Sequence, residues 1–160
     1  MTTARQILVI GVGNDYRRDD AVGRVVARRL RSIKGENIRV VEESGEGAAL
    51  LEAWKGADFV ILIDAVHSGG VAGTIHRFDA KAHPIPSKFF HYSTHAFSVA
   101  EAVELARALN QLPDKLIVYG IEGKAFASGV GLSVKAQAAA WEVLRRVKAE
   151  LYTNSRSSTT

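Results

Sequence analysis

Residues 58–66, "DFVILIDAV", carry apolar side chains at odd and even positions alike. A strand with that pattern has no face to give to water, so it belongs inside a sheet covered by helices on both sides, the arrangement of parallel sheets. "QILVIG" (6–11) repeats the pattern and is closed by a glycine. Between these runs, Val22, Val25, Val26, Leu30 and Ile33 recur at helical spacing with arginines opposite, as in an amphipathic helix. "IRVVEE" (38–43) reads as a second strand, and "GAALLEAWKG" (47–56) as a short helix ended by Gly56. The first third of the chain therefore alternates β-α-β-α-β.

The pattern then changes. "HSGGVAG" (67–73) is a Gly-rich turn leading at once into "TIHRF" (74–78), and so short a link cannot hold a parallel crossover. The fourth strand is expected to run antiparallel. Residues 79–97 fit neither helix nor strand and hold Pro84, Pro86, His83, His91 and His95. Ser98 with Glu101 forms a capping box, predicting a helix from there to about Asn110. "KLIVYGI" (115–121) is the last strand, residues 131–151 the last helix, with Ser133 as its cap, and residues 152–160 are expected to be a disordered tail. The expected fold is α/β: a three-layer α/β/α sandwich over residues 1–151, one domain around a mixed, mostly parallel five-stranded sheet with one antiparallel strand. Helices on both faces make 2-1-3 the expected order of the first three strands.

Composition removes several functional classes. The chain has no cysteine, hence no disulfide, thiolate metal site or cysteine nucleophile. No apolar run approaches the roughly 18 residues that span a bilayer, and "MTTARQ" lacks the apolar core of a secretion signal, so a cytoplasmic protein with no membrane partner is expected. The formal charge of +4 gathers on the first helix (Arg24, Arg28, Arg29, Arg31, Lys34) and the last (Arg145, Arg146, Lys148). Without interleaved aromatics or a nucleic-acid motif, these read as solvated outer faces rather than a nucleic-acid surface.

In open α/β sheets ligands bind beyond the carboxyl ends of the strands where strand order reverses. Asp20, in "GVGNDYRRDDAVG" (11–23), follows strand 1; Asp64 ends strand 3; His95 lies three residues before the Ser98 cap. Alone, each has an ordinary role: a helix cap, a partner for loop amides, a polar loop residue. Together at the switch point, two carboxylates and an imidazole suit a divalent metal with open positions. A nucleotide site is the competing reading, but Tyr16 stands where the third glycine of G-x-G-x-x-G belongs, and Asp19 and Asp20 would repel a pyrophosphate. Glu42 or Glu43 would have to serve as its ribose-binding acid. A Ser-His-Asp hydrolase ranks last, since Ser93 and Ser98 lie in no nucleophile elbow. His67 and His91 are secondary candidates, with His67 expected to be exposed; His76 and His83 read as surface residues.

The stretch "ILVIGVGNDYRRDDAVG", followed in order by "VILIDAV", "STHAFSV" and "VYGIEG…GVGLS", resembles the hydrogenase maturation endopeptidases that process [NiFe] hydrogenases. The resemblance covers about residues 6–150 and implies a phosphorylase/hydrolase-like sandwich. It also implies an aspartyl-type endopeptidase that activates hydrogenase by removing a C-terminal extension from the large-subunit precursor after nickel insertion. Asp20, Asp64 and His95 would be both catalytic and nickel-contacting, with nickel supplied by the precursor. Asp19 would cap or brace the turn, Asn14 would hold it, and Gly11, Gly13 and Gly23 would let backbone pass close to the bound substrate. "ESGEGAALLE" (43–52) departs from the family pattern. A nucleotide-binding oxidoreductase and a non-catalytic nickel or precursor chaperone remain the alternatives.

Overall fold

The computed structural model describes residues 4–33, 35–90 and 98–156. Its five strands are β1 (Ile7–Val12), β2 (Ile38–Glu43), β3 (Phe59–Val66), β4 (Ile75–Asp79) and β5 (Lys115–Glu122). Its helices are α1 (Val22–Leu30), α2 (Gly47–Ala53), α3 (Val99–Ala108) and α4 (Val134–Arg156). The sheet order is β2-β1-β3-β5-β4, parallel throughout except for β4 against β5. The expected 2-1-3 start and the antiparallel strand are both present. β4 does not pair with β3, which precedes it; β5 inserts between them.

Alternation within the central strands divides the core. Ile7, Val9, Ile61 and Ile63 pack on one side with α1 and α4, while Leu8, Ile10, Val60 and Leu62 face α2 and α3 on the other. Each strand residue thus reaches a helix layer, which is why these runs are apolar throughout. The edge strands β2 and β4 are only partly buried. α4 runs on to Arg156, so residues 152–156, expected in a disordered tail, are helical. Asn154 holds that extra turn, donating from its side chain to the Glu150 carbonyl (2.7 Å) and accepting from Arg5 (3.0 Å). No helix is long and apolar enough to cross a membrane among the described residues.

The glycines of the first motif have a packing role that the sequence did not show. A Cβ on Gly11 would lie 2.3 Å from the Gly23 carbonyl oxygen, one on Gly13 1.9 Å from that of Asp20, and one on Gly23 2.1 Å from that of Ile63. Their bareness lets the start of α1 press onto β1 and β3, and Gly13 also lines the cleft described below. Gly23→Ala forces backbone against backbone and is expected to cost about 3 kcal/mol. Urea unfolding of the purified chain checks this.

The basic face of α1 is also not simply solvated. Arg24 (3.0 Å), Arg28 (2.8 Å) and Arg31 (2.6 Å) converge on the largely buried Glu42 carboxylate of β2. Arg29 lies 3.8 Å over the Trp141 ring of α4. Most of this positive charge ties α1 to its neighbours.

Candidate active site

The turn after β1 is fixed by its own side chains. The Asn14 side-chain oxygen accepts from the Tyr16 N–H (2.9 Å), the Asx-turn geometry expected of Asn. Arg18 takes a left-handed conformation (φ +48°), and a single 3-10 turn (Arg18–Ala21) leads into α1. This twist sends the two adjacent acids in opposite directions. Asp19 is fully buried and reaches into the loop between β5 and α4. It accepts from the backbone of Lys124 (2.7 Å), Ala125 (3.1 Å) and Ser133 (2.7 Å), and from the Ser133 hydroxyl (2.7 Å). Burial alone would raise this carboxyl, but the four hydrogen bonds outweigh it and hold it below the ordinary range. Asp19 therefore braces a distant loop rather than capping α1, whose N-cap is Ala21. Ser133 does cap α4, accepting from the Ala136 N–H (3.3 Å).

Asp20 faces the other way. Its carboxylate accepts from the Asn14 N–H (3.0 Å) and lines a cleft of about 690 Å³ at the carboxyl end of the sheet. Asp64, on β3, lines the same cleft. Burial, and then the charge of Asp20, push the Asp64 carboxyl well above the usual carboxylate range; a hydrogen bond from the Ala65 N–H (2.8 Å) offsets this in part. The fold thus gathers two of the three expected residues, near enough for one charge to act on the other. His95, with His91, lies outside the described residues. Among the described residues no group of three His, Cys, Asp or Glu side chains gathers in metal-binding fashion. Two carboxylates are hard oxygen donors, and a cation between them would relieve their repulsion, so this much of the donor set fits a divalent metal.

The remaining expectations resolve individually. His67 is exposed, as expected, and lines the cleft with its ring stacked on Phe126 (4.7 Å, 13°). His83 is exposed. His76 is not a plain surface residue: its ring packs on Phe89 (4.6 Å), and Nε2 lies 3.3 Å from the buried Glu122 carboxylate. Glu122 also accepts from the Ser68 hydroxyl and backbone N–H, fixing the turn that carries His67. The Asn14 N–H, in the turn where a pyrophosphate would sit, is bonded to Asp20, and Glu42 is held by three arginines rather than open to a ribose. The Ser98 hydroxyl serves the capping box with Glu101, which leaves it no nucleophilic role.

Phe126 and the loop after β5 were not expected in the site. The signal was Gly123: a Cβ there would meet the Phe126 ring at 2.5 Å and Asp19 Cβ at 3.0 Å, so glycine leaves room for Phe126, which lines the cleft, to pack beside the Asp19 turn. Seen in sequence, "GIEGKAF" overlaps the "VYGIEG" segment of the resemblance, but nothing in it places Phe126 at the site.

A family model described as hydrogenase maturation protease matches residues 24–150. The hydrogenase 2 maturation protease of Escherichia coli is 29% identical over 150 residues, 91% of this chain and 90% of that protein. The hydrogenase expression/formation protein HupD of Thiocapsa roseopersicina is 27% identical over 124 residues, 76% of this chain. That alignment spans just over half of the relative's length, 56%. Among solved structures, the hydrogenase maturating endopeptidase HybD from E. coli superposes with a TM-score of 0.79 at 25% identity, covering 92% of this chain and 93% of that one.

Proposed function

This chain belongs to the hydrogenase maturation protease family, and we propose that it is the endopeptidase that removes the C-terminal extension of a [NiFe] hydrogenase large-subunit precursor once nickel is in place. The observation that carries this reading is the pair of acids, Asp20 after β1 and Asp64 at the end of β3, converging on one cleft with Asp64 pushed toward its protonated form. Two carboxylates whose environments hold them in different protonation states can divide acid and base roles in amide hydrolysis. The nickel enters with the precursor, as part of the substrate. Asp20, Asp64 and His95 would contact it there. Bound there, nickel would polarise the scissile carbonyl; water adds to the carbonyl carbon and gives its proton to the Asp20 carboxylate, and as the C–N bond breaks the leaving amine takes a proton from the Asp64 carboxyl.

The precursor prepared with and without nickel tests this with the purified chain. Nickel-loaded precursor is expected to be shortened at its C-terminus, and nickel-free precursor to be cut at least about 100-fold more slowly, as read by intact-mass spectrometry. Equal cutting of both would remove nickel from the recognition step. Tight binding of loaded precursor with no cutting would favour the chaperone reading.

A further inference from the structure

The arginines near the cleft are not equivalent. Arg24, Arg28 and Arg31 are occupied by Glu42, and Arg28 also takes up Asp15. Arg17 lines the cleft, yet its side chain has no hydrogen bond or ion pair among the described residues. Its backbone, by contrast, is pinned. Arg17 bridges to Gly129 in parallel fashion; the Gly129 N–H donates to the Tyr16 carbonyl (2.9 Å), and the Arg18 N–H to the Gly129 carbonyl (3.1 Å). The Arg17 N–H donates to the Asn14 carbonyl (3.2 Å), and its carbonyl accepts from the Asp20 N–H (3.1 Å). A guanidinium carried on so fixed a backbone, at the wall of the cleft and without a partner among the described residues, can offer its planar fork of N–H donors to an anion from outside.

The surroundings point the same way. Tyr16 is 73% exposed, and Val130, next to Gly129 across the bridge, is 76% exposed. Tyr16 lines the same cleft, and Val130 follows the residue bridged to Arg17; exposed apolar groups near an arginine that is unpaired among the described residues are the combination from which protein-binding hot spots are built, because they keep water from the ion pair once a chain covers them. The cleft's own acids, Asp20 and Asp64, cannot take this role without leaving the reacting centre.

We propose that Arg17 is a specificity-determining residue: its guanidinium takes a carboxylate of the precursor segment beside the scissile bond, with Tyr16 and Val130 closing over the pair. This rests on the proteolytic reading above. The carboxylate comes either from an acidic side chain of the segment or from the terminal carboxylate of the extension.

The test compares wild type, Arg17→Ala and Arg17→Lys on nickel-loaded precursor, with Arg39→Ala, an exposed arginine on β2, as the control for a general loss of positive charge. Arg17→Ala is expected to raise KM about tenfold or more with kcat changed less than about threefold, Arg17→Lys to recover part of the loss, and Arg39→Ala to match wild type. Precursors with each acidic residue of the segment neutralised in turn, and one whose terminus is moved away by a Gly-Ser extension, locate the partner. The right one raises KM for wild type by the same factor and has no further effect on Arg17→Ala. Unchanged KM in Arg17→Ala, or losses that simply add for every precursor, would overturn the proposal. Should wild type cut nothing, the proteolytic reading fails, and titration of the full chain with a labelled extension peptide still decides for Arg17: tenfold weaker binding by Arg17→Ala supports it, equal binding ends it.

Discussion

Asp64→Asn is expected to reduce precursor processing by about 1,000-fold or more, with the chain still folded and still binding precursor. Asparagine keeps the shape and the Ala65 N–H contact but can neither ionise nor take a proton. The same substitution is expected to raise the melting temperature at neutral pH. Asp64 is held above its ordinary pKa by burial and by the charge of Asp20, so its folded pKa exceeds its unfolded one. A carboxyl shifted upward contributes stability at low pH and loses it as pH rises through the folded pKa. At neutral pH the buried Asp64 carboxyl beside Asp20 therefore opposes folding, and a residue at 64 that never ionises removes that opposition. Lower activity with a higher melting temperature marks a group kept for chemistry rather than for the fold. Asp20→Asn should lose processing likewise and lower the Asp64 pKa. Melting curves from pH 5 to 8 beside a cleavage assay check both. A destabilised, inactive Asp64→Asn would instead assign Asp64 a structural role.

The fold was largely legible because its strongest signals are local. "VILI" in β3 and "ILVI" in β1 are apolar at consecutive positions, and only a strand covered on both faces uses every one of them. The pairing of β4 was not legible in the same way. Its direction followed from the short turn, but its neighbour depended on where β5 inserted, a non-local choice made by the whole sheet. The end of α4 was misplaced for a related reason: "YTNSR" has little apolar periodicity, and the helix continues there because Asn154 meets Arg5 from the other end of the chain.

At the site, sequence order and topology were enough to bring Asp20 and Asp64 together, since both lie at strand ends flanking the switch point. What could not be read was the division of labour around them. Nothing local to "RRDDA" says that the first acid turns inward and the second toward the cleft; the left-handed Arg18 and the amides of residues 124, 125 and 133, more than a hundred positions away, decide it. The packing role of the glycines was hidden for the same reason, since the backbone that each one meets lies on another element or turn. The arginines of α1 looked like a free basic face until Glu42 of β2 gathered them, which leaves Arg17 as the cation that faces the cleft unpaired among the described residues.

Asp19→Ala is expected to destabilise the chain by about 4 kcal/mol, enough to lower the melting temperature by roughly 10 °C, with loss of processing following from loss of the site's frame. The substitution strips three backbone N–H groups and the Ser133 hydroxyl of their acceptor in a place that water does not reach. Asp19→Asn is expected to fall between, since the amide oxygen can accept while its NH₂ meets donors already pointing inward. The effect should depend on pH with a sign opposite to that of Asp64. Asp19 has its folded pKa held below the unfolded value, so its contribution is complete above an unfolded pKa near 3.9 and fades as pH falls through the folded one. Wild type and Asp19→Asn should therefore differ by a constant amount from about pH 5 to 8 and converge below about pH 4. Guanidinium unfolding across that range measures the difference; a gap that widens in acid would mean that the carboxylate is not the group binding the β1–α1 turn to the loop after β5. Because that loop carries Phe126, on which His67 stacks, Asp19→Asn should also leave the cleft wall loose, visible as faster amide exchange at residues 123–133 before global unfolding begins.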